Sequence, residues 1–246
     1  MFHVKRNVHE LLTEWGLSSR LVETGVLERL QGFGEFLSEY DAANVIGVRD
    51  LHQIISEHIV DSLSCAFAAD FPSAKKAVDV GSGAGLPGIP LAILYPGTAF
   101  TLVDSVGKKT AFQQEAVREI GLANVEPVQM RLEEIGRSEK HRESYGIATS
   151  RALASLDVVA EYCLPLLEVG GVALAMKGRV EPEELRRGRV ATERLGGAVL
   201  EVSIVQRLRG QVSKERSIIV LKKLRKTPHK YPRETGVPKK NPLGDA

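Results

Sequence analysis

The densest run of chemistry-bearing residues is Val78-Asp79-Val80-Gly81-Ser82-Gly83-Ala84-Gly85-Leu86-Pro87-Gly88. Glycines at the turn out of a strand let the backbone approach a ligand closely, because no Cβ intervenes. A helix that starts behind such a turn offers N–H groups without intrahelical partners. Roughly twenty residues on, Asp104 ends a second candidate strand, where a carboxylate accepts hydrogen bonds from ribose hydroxyls. Gly81, Gly83, Gly85 and Asp104 together point to a nucleoside-containing cofactor.

Gly83-Ala84-Gly85-Leu86-Pro87-Gly88 satisfies the dinucleotide fingerprint literally. That alignment, however, puts Asp79 and Gly81 inside the preceding buried strand, where a carboxylate and a glycine are both unfavourable. Starting the turn at Gly81 puts Asp79 at the strand end instead. A carboxylate there suits the ammonium of a methionine moiety and repels a pyrophosphate. On this reading S-adenosylmethionine ranks ahead of NAD.

The rest of the chain supplies the elements that must hold these residues. The protein has 246 residues, 43% of them hydrophobic and 26% charged, enough for one large domain with a sizeable core. From residue 76 short apolar runs at 77–80, 99–103, 125–130, 145–149, 171–176, 199–206 and 216–221 alternate with helical stretches at 89–94, 108–120, 156–167 and 182–195. This alternation predicts a mostly parallel sheet of seven strands covered on both faces. The last two strands, joined by 210–214 without a helix, are expected to pair antiparallel.

Upstream, Leu51, Ile54, Ile55, Ile59, Leu63 and Phe67 recur at helical spacing behind Asp50 and Gln53, which resemble a capping box. Leu21, Val22, Val26, Leu27, Leu30, Phe33 and Leu37 show the same period, interrupted by Gly25, Gly32 and Gly34. Three regions follow: a helical cap over 1–70, a cofactor-binding domain over 71–224, and a basic, proline-rich arm over 225–246, whose prolines and cations forbid regular structure.

Charge is uneven along the chain. From Arg207 onward 12 basic residues face 3 acidic ones, a balance of +9, whereas the first 206 residues carry 21 basic and 28 acidic, or −7. A polyphosphate partner selects such a basic end; a solvated tail explains the composition equally well. Two distant cysteines, Cys65 and Cys163, exclude a disulfide scaffold, and Cys163 reads as core packing in an apolar helix. No metal site, signal peptide or membrane span is expected, which places the protein in the cytoplasm.

The segment from Asp79 to Leu91 is similar to the cofactor loop of the bacterial 16S ribosomal RNA (guanine-N7) methyltransferases, the glucose-inhibited division protein B family. The resemblance continues through Leu102-Val103-Asp104-Ser105-Val106-Gly107-Lys108-Lys109, Arg131-Leu132-Glu133-Glu134, Ser150-Arg151-Ala152 and Met176-Lys177-Gly178. Upstream it includes Asn44, Val48-Arg49-Asp50 and His58-Ile59-Val60-Asp61-Ser62, so it covers about residues 40–221. The chain departs from the family where Val45-Ile46, instead of Leu-Thr, follow Asn44.

This resemblance implies a class I, S-adenosylmethionine-dependent methyltransferase with a Rossmann-like fold. Its reaction would methylate N7 of a guanine in the 530 loop of 16S rRNA and leave S-adenosylhomocysteine. Family cofactor positions fall on Gly81, Leu86, Leu132, Glu133 and Arg151. Leu86 can pack on the methionine or ribose portion, Leu132 can form an apolar wall, and Glu133 can accept from the adenine amine. Arg151, at the mouth where cofactor and acceptor meet, is the candidate catalytic residue, with a structural ion pair as the alternative. Asn44, His58, Lys177, Lys222, Lys223 and Arg225 are candidate RNA contacts. The implied partner is 16S rRNA or the 30S subunit, met by a monomer. A ribosome-assembly factor acting mainly through RNA binding, and a methyltransferase on another RNA, remain the competing readings.

Overall fold

A computed structural model describes residues 25–42, 44–204 and 216–245. Its strands are β1 (Lys76–Val80), β2 (Ala99–Asp104), β3 (Val125–Gln129), β4 (Tyr145–Arg151), β5 (Leu167–Lys177), β6 (Gly197–Ile204) and β7 (Ser217–Lys223). They form one sheet in the order β3-β2-β1-β4-β5-β7-β6. The first five strands run parallel, and β7 is antiparallel to both β5 and β6. The expected antiparallel final pair is therefore present, with β7 inserted between β5 and β6. The link at 210–214 lies outside the described residues.

Strand order reverses between β1 and β4, which creates the crevice where ligands bind in open α/β sheets. Parallel pairing brings Val80, Asp104, Arg151 and Lys177 to the same carboxyl edge.

The helices are α1 (Val26–Glu39), α2 (Leu51–Gln53), α3 (Val60–Leu63), α4 (Gly88–Leu94), α5 (Gly107–Ile120), α6 (Leu132–Ile135), α7 (Leu156–Cys163), α8 (Pro182–Arg194) and α9 (Val237–Lys240). The Asp50 side chain caps α2 by accepting from Gln53 N at 2.8 Å. A π-helical segment, Ile54–Ile59, joins α2 to α3 without a break, so the amphipathic stretch read from spacing is real but locally widened. Helix α1 runs through Gly32 and Gly34. A Cβ at Gly34 would lie 3.1 Å from Ile55 Cγ1 and 3.2 Å from Leu51 Cδ1, so this glycine sets the close approach of α1 to α2. Leu21 and Val22 lie outside the described residues.

Side chains alternate between two cores, as the period of two requires. Leu174, Met176, Ile218 and Val220 join a cluster with Leu30, Phe33 and Leu37 of α1, Ile59 of the π segment and Leu63 of α3. Ala173, Ala175, Ile219 and Leu221 face a second cluster with residues of α7, Ala191 of α8, and Tyr231 and Leu243 of the C-terminal arm. Described cap residues thus share a core with one face of the sheet, and the arm packs on the other.

The expectation that the arm lacks regular structure is corrected by α9 and a 3₁₀ turn at Leu243–Asp245. Pro238 sits in the first turn of α9, where a missing N–H costs no hydrogen bond. Arg142 donates to the carbonyls of Tyr231 and Thr227, each at 2.8 Å, and Arg233 forks onto the buried Glu161. Helix α7 also ends earlier than its sequence pattern: Pro165 closes a 3₁₀ turn, Leu164–Leu166, and β5 begins at Leu167.

Candidate active site

The glycine turn packs tightly on its own neighbours at Gly81 and Gly85 and is open only at Gly83. Gly81, Gly83 and Gly85 have φ of 71°, 59° and 75°, the left-handed region that glycine enters without steric cost. A Cβ on Gly81 would lie 2.5 Å from Leu153 Cδ1, and one on Gly85 would lie 2.4 Å from Ile89 Cδ1. Gly81 N and Ser82 N both donate to Val103 O, at 2.9 and 3.0 Å, which ties the turn to β2. Asp104, buried at the end of β2, accepts from Gly83 N at 3.0 Å and Val106 N at 2.9 Å. Gln113 Nε2 donates to Gly83 O at 2.8 Å. A ligand here meets backbone already held in place.

Asp79 corrects the sequence reading. It lies inside β1 and is fully buried, with its oxygens turned to the protein: Oδ1 accepts from the Thr149 hydroxyl at 2.9 Å and Oδ2 from Gly88 N at 3.0 Å. Those bonds make a carboxylate tolerable within the strand, so its expected contact with a methionine ammonium is not what the geometry provides. Burial raises its pKa to about 6, opposed by the hydrogen bonds from Thr149 and Gly88.

The helix start behind the turn also departs from expectation. Gly88 N goes to Asp79, Ile89 N to Gly85 O, Leu91 N to Pro87 O, and Pro90 has no N–H. The start of α4 therefore has no N–H to spare for a pyrophosphate. The case against a dinucleotide rests on this closure, not on Asp79.

Leu86 and Leu132 are both buried. Glu133 lies in the first turn of α6, and its Oε1 accepts from Tyr162 Oη at 3.1 Å and from Gly236 N of the arm at 2.9 Å. Burial, with Glu133 beside it, pushes the Tyr162 hydroxyl well up, so it remains a donor. The arm thus orients the carboxylate that the sequence assigned to an adenine amine. The glycine cradle, Asp104 and these walls fit a nucleoside with a short chain attached.

A second concavity, about 310 Å³, adjoins this cradle along the same sheet edge. His58, Asp61, Arg151, Met176, Lys177 and Arg216 line it. The cavity lining includes Arg151 and Ala152, and Leu153, the next residue, is the side chain packed on Gly81. Asp61 bridges the cavity: its Oδ2 lies 3.3 Å from Arg151 Nη1, and its Oδ1 3.1 Å from Arg216 Nε. Arg151 Nη1 also donates to His58 O at 3.4 Å. Lys177 Nζ pairs with Glu184 at 2.6 Å and donates to Ala154 O at 2.7 Å.

Burial, with Arg151 beside it, lowers the His58 pKa to about 4, so the ring is neutral at pH 7. Its Nε2 is buried and has no hydrogen-bond partner among the described residues. Burial raises the Asp61 pKa while the two arginines pull it down.

The remaining candidates separate. Asn44 is exposed and does not line the cavity. Lys222 pairs in register with Val172, and Ser217 with Lys177, so Lys222, Lys223 and Arg225 lie at the end of the sheet opposite the crevice. Lys223 is corrected outright: it is fully buried, with Nζ bonded to Leu164 O at 2.7 Å, Thr227 Oγ1 at 2.6 Å and Glu143 at 3.3 Å. A cation so enclosed cannot reach a phosphate. Burial brings its pKa down to about 8. Arg225 is exposed and donates to Glu193 O at 3.1 Å.

Sequence reading did not assign Arg216, Met176 and Thr149 to the site. Arg216 meets Asp61 across 155 positions of chain, and no local motif announces that pairing.

Comparison with known proteins supplies the fold and the family. Two solved methyltransferases share the fold at low sequence identity. One is an O-methyltransferase of neocarzinostatin biosynthesis solved with S-adenosylmethionine: TM-score 0.54, 17% identity, 70% of this chain and 56% of that one. The other is a mitomycin 7-O-methyltransferase: TM-score 0.53, 16% identity, 67% and 53%. Curated relatives are far more similar in sequence. The ribosomal RNA small subunit methyltransferase G of Rubrobacter xylanophilus is 43% identical over 98% of this chain and 94% of its own. That of Roseiflexus castenholzii is 40% identical over 95% and 97%. The family model described as rRNA small subunit methyltransferase G matches residues 26–214. On these grounds the chain belongs to the rRNA small subunit methyltransferase G family, whose members use S-adenosylmethionine.

Proposed function

We propose that this chain transfers a methyl group from S-adenosylmethionine to N7 of a guanine in the 530 loop of 16S rRNA, acting as a cytoplasmic monomer on the small ribosomal subunit. Family membership carries the coarser statement, an S-adenosylmethionine-dependent rRNA methyltransferase. One observation supports the finer one most directly: a cavity lined by two arginines and a lysine includes Arg151 and Ala152, which lead in sequence into the Leu153 that packs on Gly81 of the glycine turn.

The cosubstrate supplies an electrophilic methyl on a sulfonium. Guanine N7 carries an in-plane lone pair, so a new N–C bond forms as the C–S bond breaks and its electron pair passes to sulfur. No proton leaves the base. The protein's task is therefore alignment, which can supply about 7–11 kcal/mol of the barrier. Gly83, where a Cβ would meet nothing closer than 3.9 Å, leaves the backbone open to the cosubstrate, and Asp104 would accept from ribose hydroxyls. Arg151 occupies the junction between the two spaces. Its guanidinium, anchored by Asp61, can hold either the cosubstrate carboxylate or the acceptor. Neutral His58 adds no charge to the cavity wall.

The test is transfer of labelled methyl to unmodified 30S subunits and to protein-free 16S rRNA, with the modified nucleotide mapped. 7-Methylguanine in the 530 loop is the expected product. Label elsewhere, or none with cosubstrate binding intact, would overturn the acceptor assignment.

A further inference from the structure

We propose that Asp61 is the residue by which this chain distinguishes guanine from other bases at the acceptor position. The inference rests on the acceptor reading above. Across the sheet edge the order is β1, β4, β5, β7. The glycine turn follows β1, Arg151 ends β4, Lys177 ends β5, and Arg216 precedes β7. Asp61 reaches over this edge from α3 and meets Arg151 on the cosubstrate side and Arg216 on the far side. It is 3% exposed, yet it lines the cavity.

Guanine has two polar edges on opposite sides of its rings. N7 and O6 form one; N1–H and the 2-amino group form the other. With N7 directed at the turn after β1, the N1–H and 2-amino edge is directed toward β7, where Asp61 and Arg216 stand. A carboxylate accepts two parallel N–H bonds, and each of its oxygens has a lone pair beyond the one given to an arginine. Adenine presents an acceptor at N1 and no 2-amino group, so the same carboxylate rejects it.

The two arginines explain how a carboxylate survives on a wall that must face RNA phosphates: they keep the local charge positive. His58 lines the same cavity, and its carbonyl accepts from Arg151 Nη1 at 3.4 Å. A base entering such a site must leave its stack, and enzymes that act on an extruded base read its Watson–Crick edge in this way.

The experiment compares kcat/KM of the full chain on small-subunit RNA carrying guanosine or inosine at the methylated position. Inosine keeps N7 and O6 and loses only the 2-amino group. Wild type is expected to prefer guanosine by roughly 10- to 100-fold, the worth of one hydrogen bond to a charged group. Asp61→Asn, verified by thermal unfolding and cosubstrate binding, is expected to narrow that ratio toward one, mainly through a raised KM for guanosine RNA. Equal rates of wild type on both RNAs would overturn the proposal without recourse to any variant. An Asp61→Asn loss of the same factor on both RNAs would do so too, because it would mark a purely structural ion pair. Failure of wild type on guanosine RNA itself would instead remove the acceptor reading on which the proposal rests.

Discussion

Substituting Arg233 by alanine tests whether the C-terminal arm is part of the folded domain. Glu161 on α7 is fully buried, and Arg233 supplies nearly all of its compensation. The guanidinium makes bonds of 2.9 and 3.1 Å from Nε and 2.6 Å from Nη2, and Arg233 N adds one at 2.8 Å. Arg233→Ala removes the three side-chain bonds and leaves a buried carboxylate with one backbone donor. Breaking a buried pair in this way costs about 3–5 kcal/mol. The Arg233 side chain is 24% exposed, so water can partly replace it, and the lower figure, about 3 kcal/mol, applies. For a chain of this size each kcal/mol moves Tm by about 2–4 °C, so the expected fall is about 6–12 °C.

Calorimetric unfolding at pH 7 measures this directly. Arg233→Lys should recover part of the loss, since it restores charge without the fork. Glu161→Gln combined with Arg233→Met should be less harmful than Arg233→Ala alone, because no buried charge is left uncompensated. Cosubstrate affinity should weaken with the stability loss, since the released arm withdraws Gly236 N from Glu133. A Tm shift below about 2 °C for Arg233→Ala would refute the reasoning and mean that the arm contributes little to the fold.

Other expectations follow from the same structure. Gly81→Ala forces a left-handed φ of 71° and a Cβ 2.5 Å from Leu153; it should cost about 1–2 kcal/mol of stability and weaken S-adenosylmethionine binding at least roughly tenfold, and calorimetric binding within twofold of wild type would contradict it. The Asp79 pKa is raised from 3.8 to about 6 in the fold, so its contribution to stability is complete below about pH 4 and is lost as pH rises through 6. His58, lowered from 6.5 to about 4, has the opposite sign: its contribution is complete above pH 6.5 and is lost on acidification through 4. Urea unfolding between pH 4 and 7 should therefore show Asp79→Asn steepening the rise of stability with pH and His58→Gln flattening it; parallel curves for all three proteins would contradict both assignments. Lys223→Met should destabilise by about 1–3 kcal/mol, through the bonds it abandons to Glu143, Leu164 and Thr227, while the salt dependence of RNA binding stays unchanged. A shallower salt slope in that variant would restore Lys223 as a phosphate contact.

Much of the fold was legible because its signals are local. The strand and helix alternation, the antiparallel end of the sheet and the Asp50 cap depend on neighbours within a few residues or on one period. The glycine turn was legible for the same reason, since positive φ selects glycine residue by residue. Asp79 was misread because the cost of burying a carboxylate depends on its partners. Those partners, Thr149 and Gly88, are brought to it by a neighbouring strand and by the return of the loop. Proline and charge in the arm suggested an extended segment without regular structure, but composition does not record that Arg142 and Glu161 are positioned to receive the arm's carbonyls and Arg233.

By itself, then, the amino-acid sequence determined an open α/β sheet with a nucleoside cradle after its first strand, and the family to which those motifs belong. Only the tertiary structure decided which charges do what. Lys223 and Lys177 are both strand-end lysines in the sequence, yet one is enclosed by Glu143 and Thr227 while the other lines the cavity. Asp61 and Arg216 become a site only when a cap helix and the penultimate strand of the sheet order meet over Arg151. The reason is range: backbone preference acts between neighbours, whereas burial and charge pairing are set by whatever the fold brings within a few ångströms.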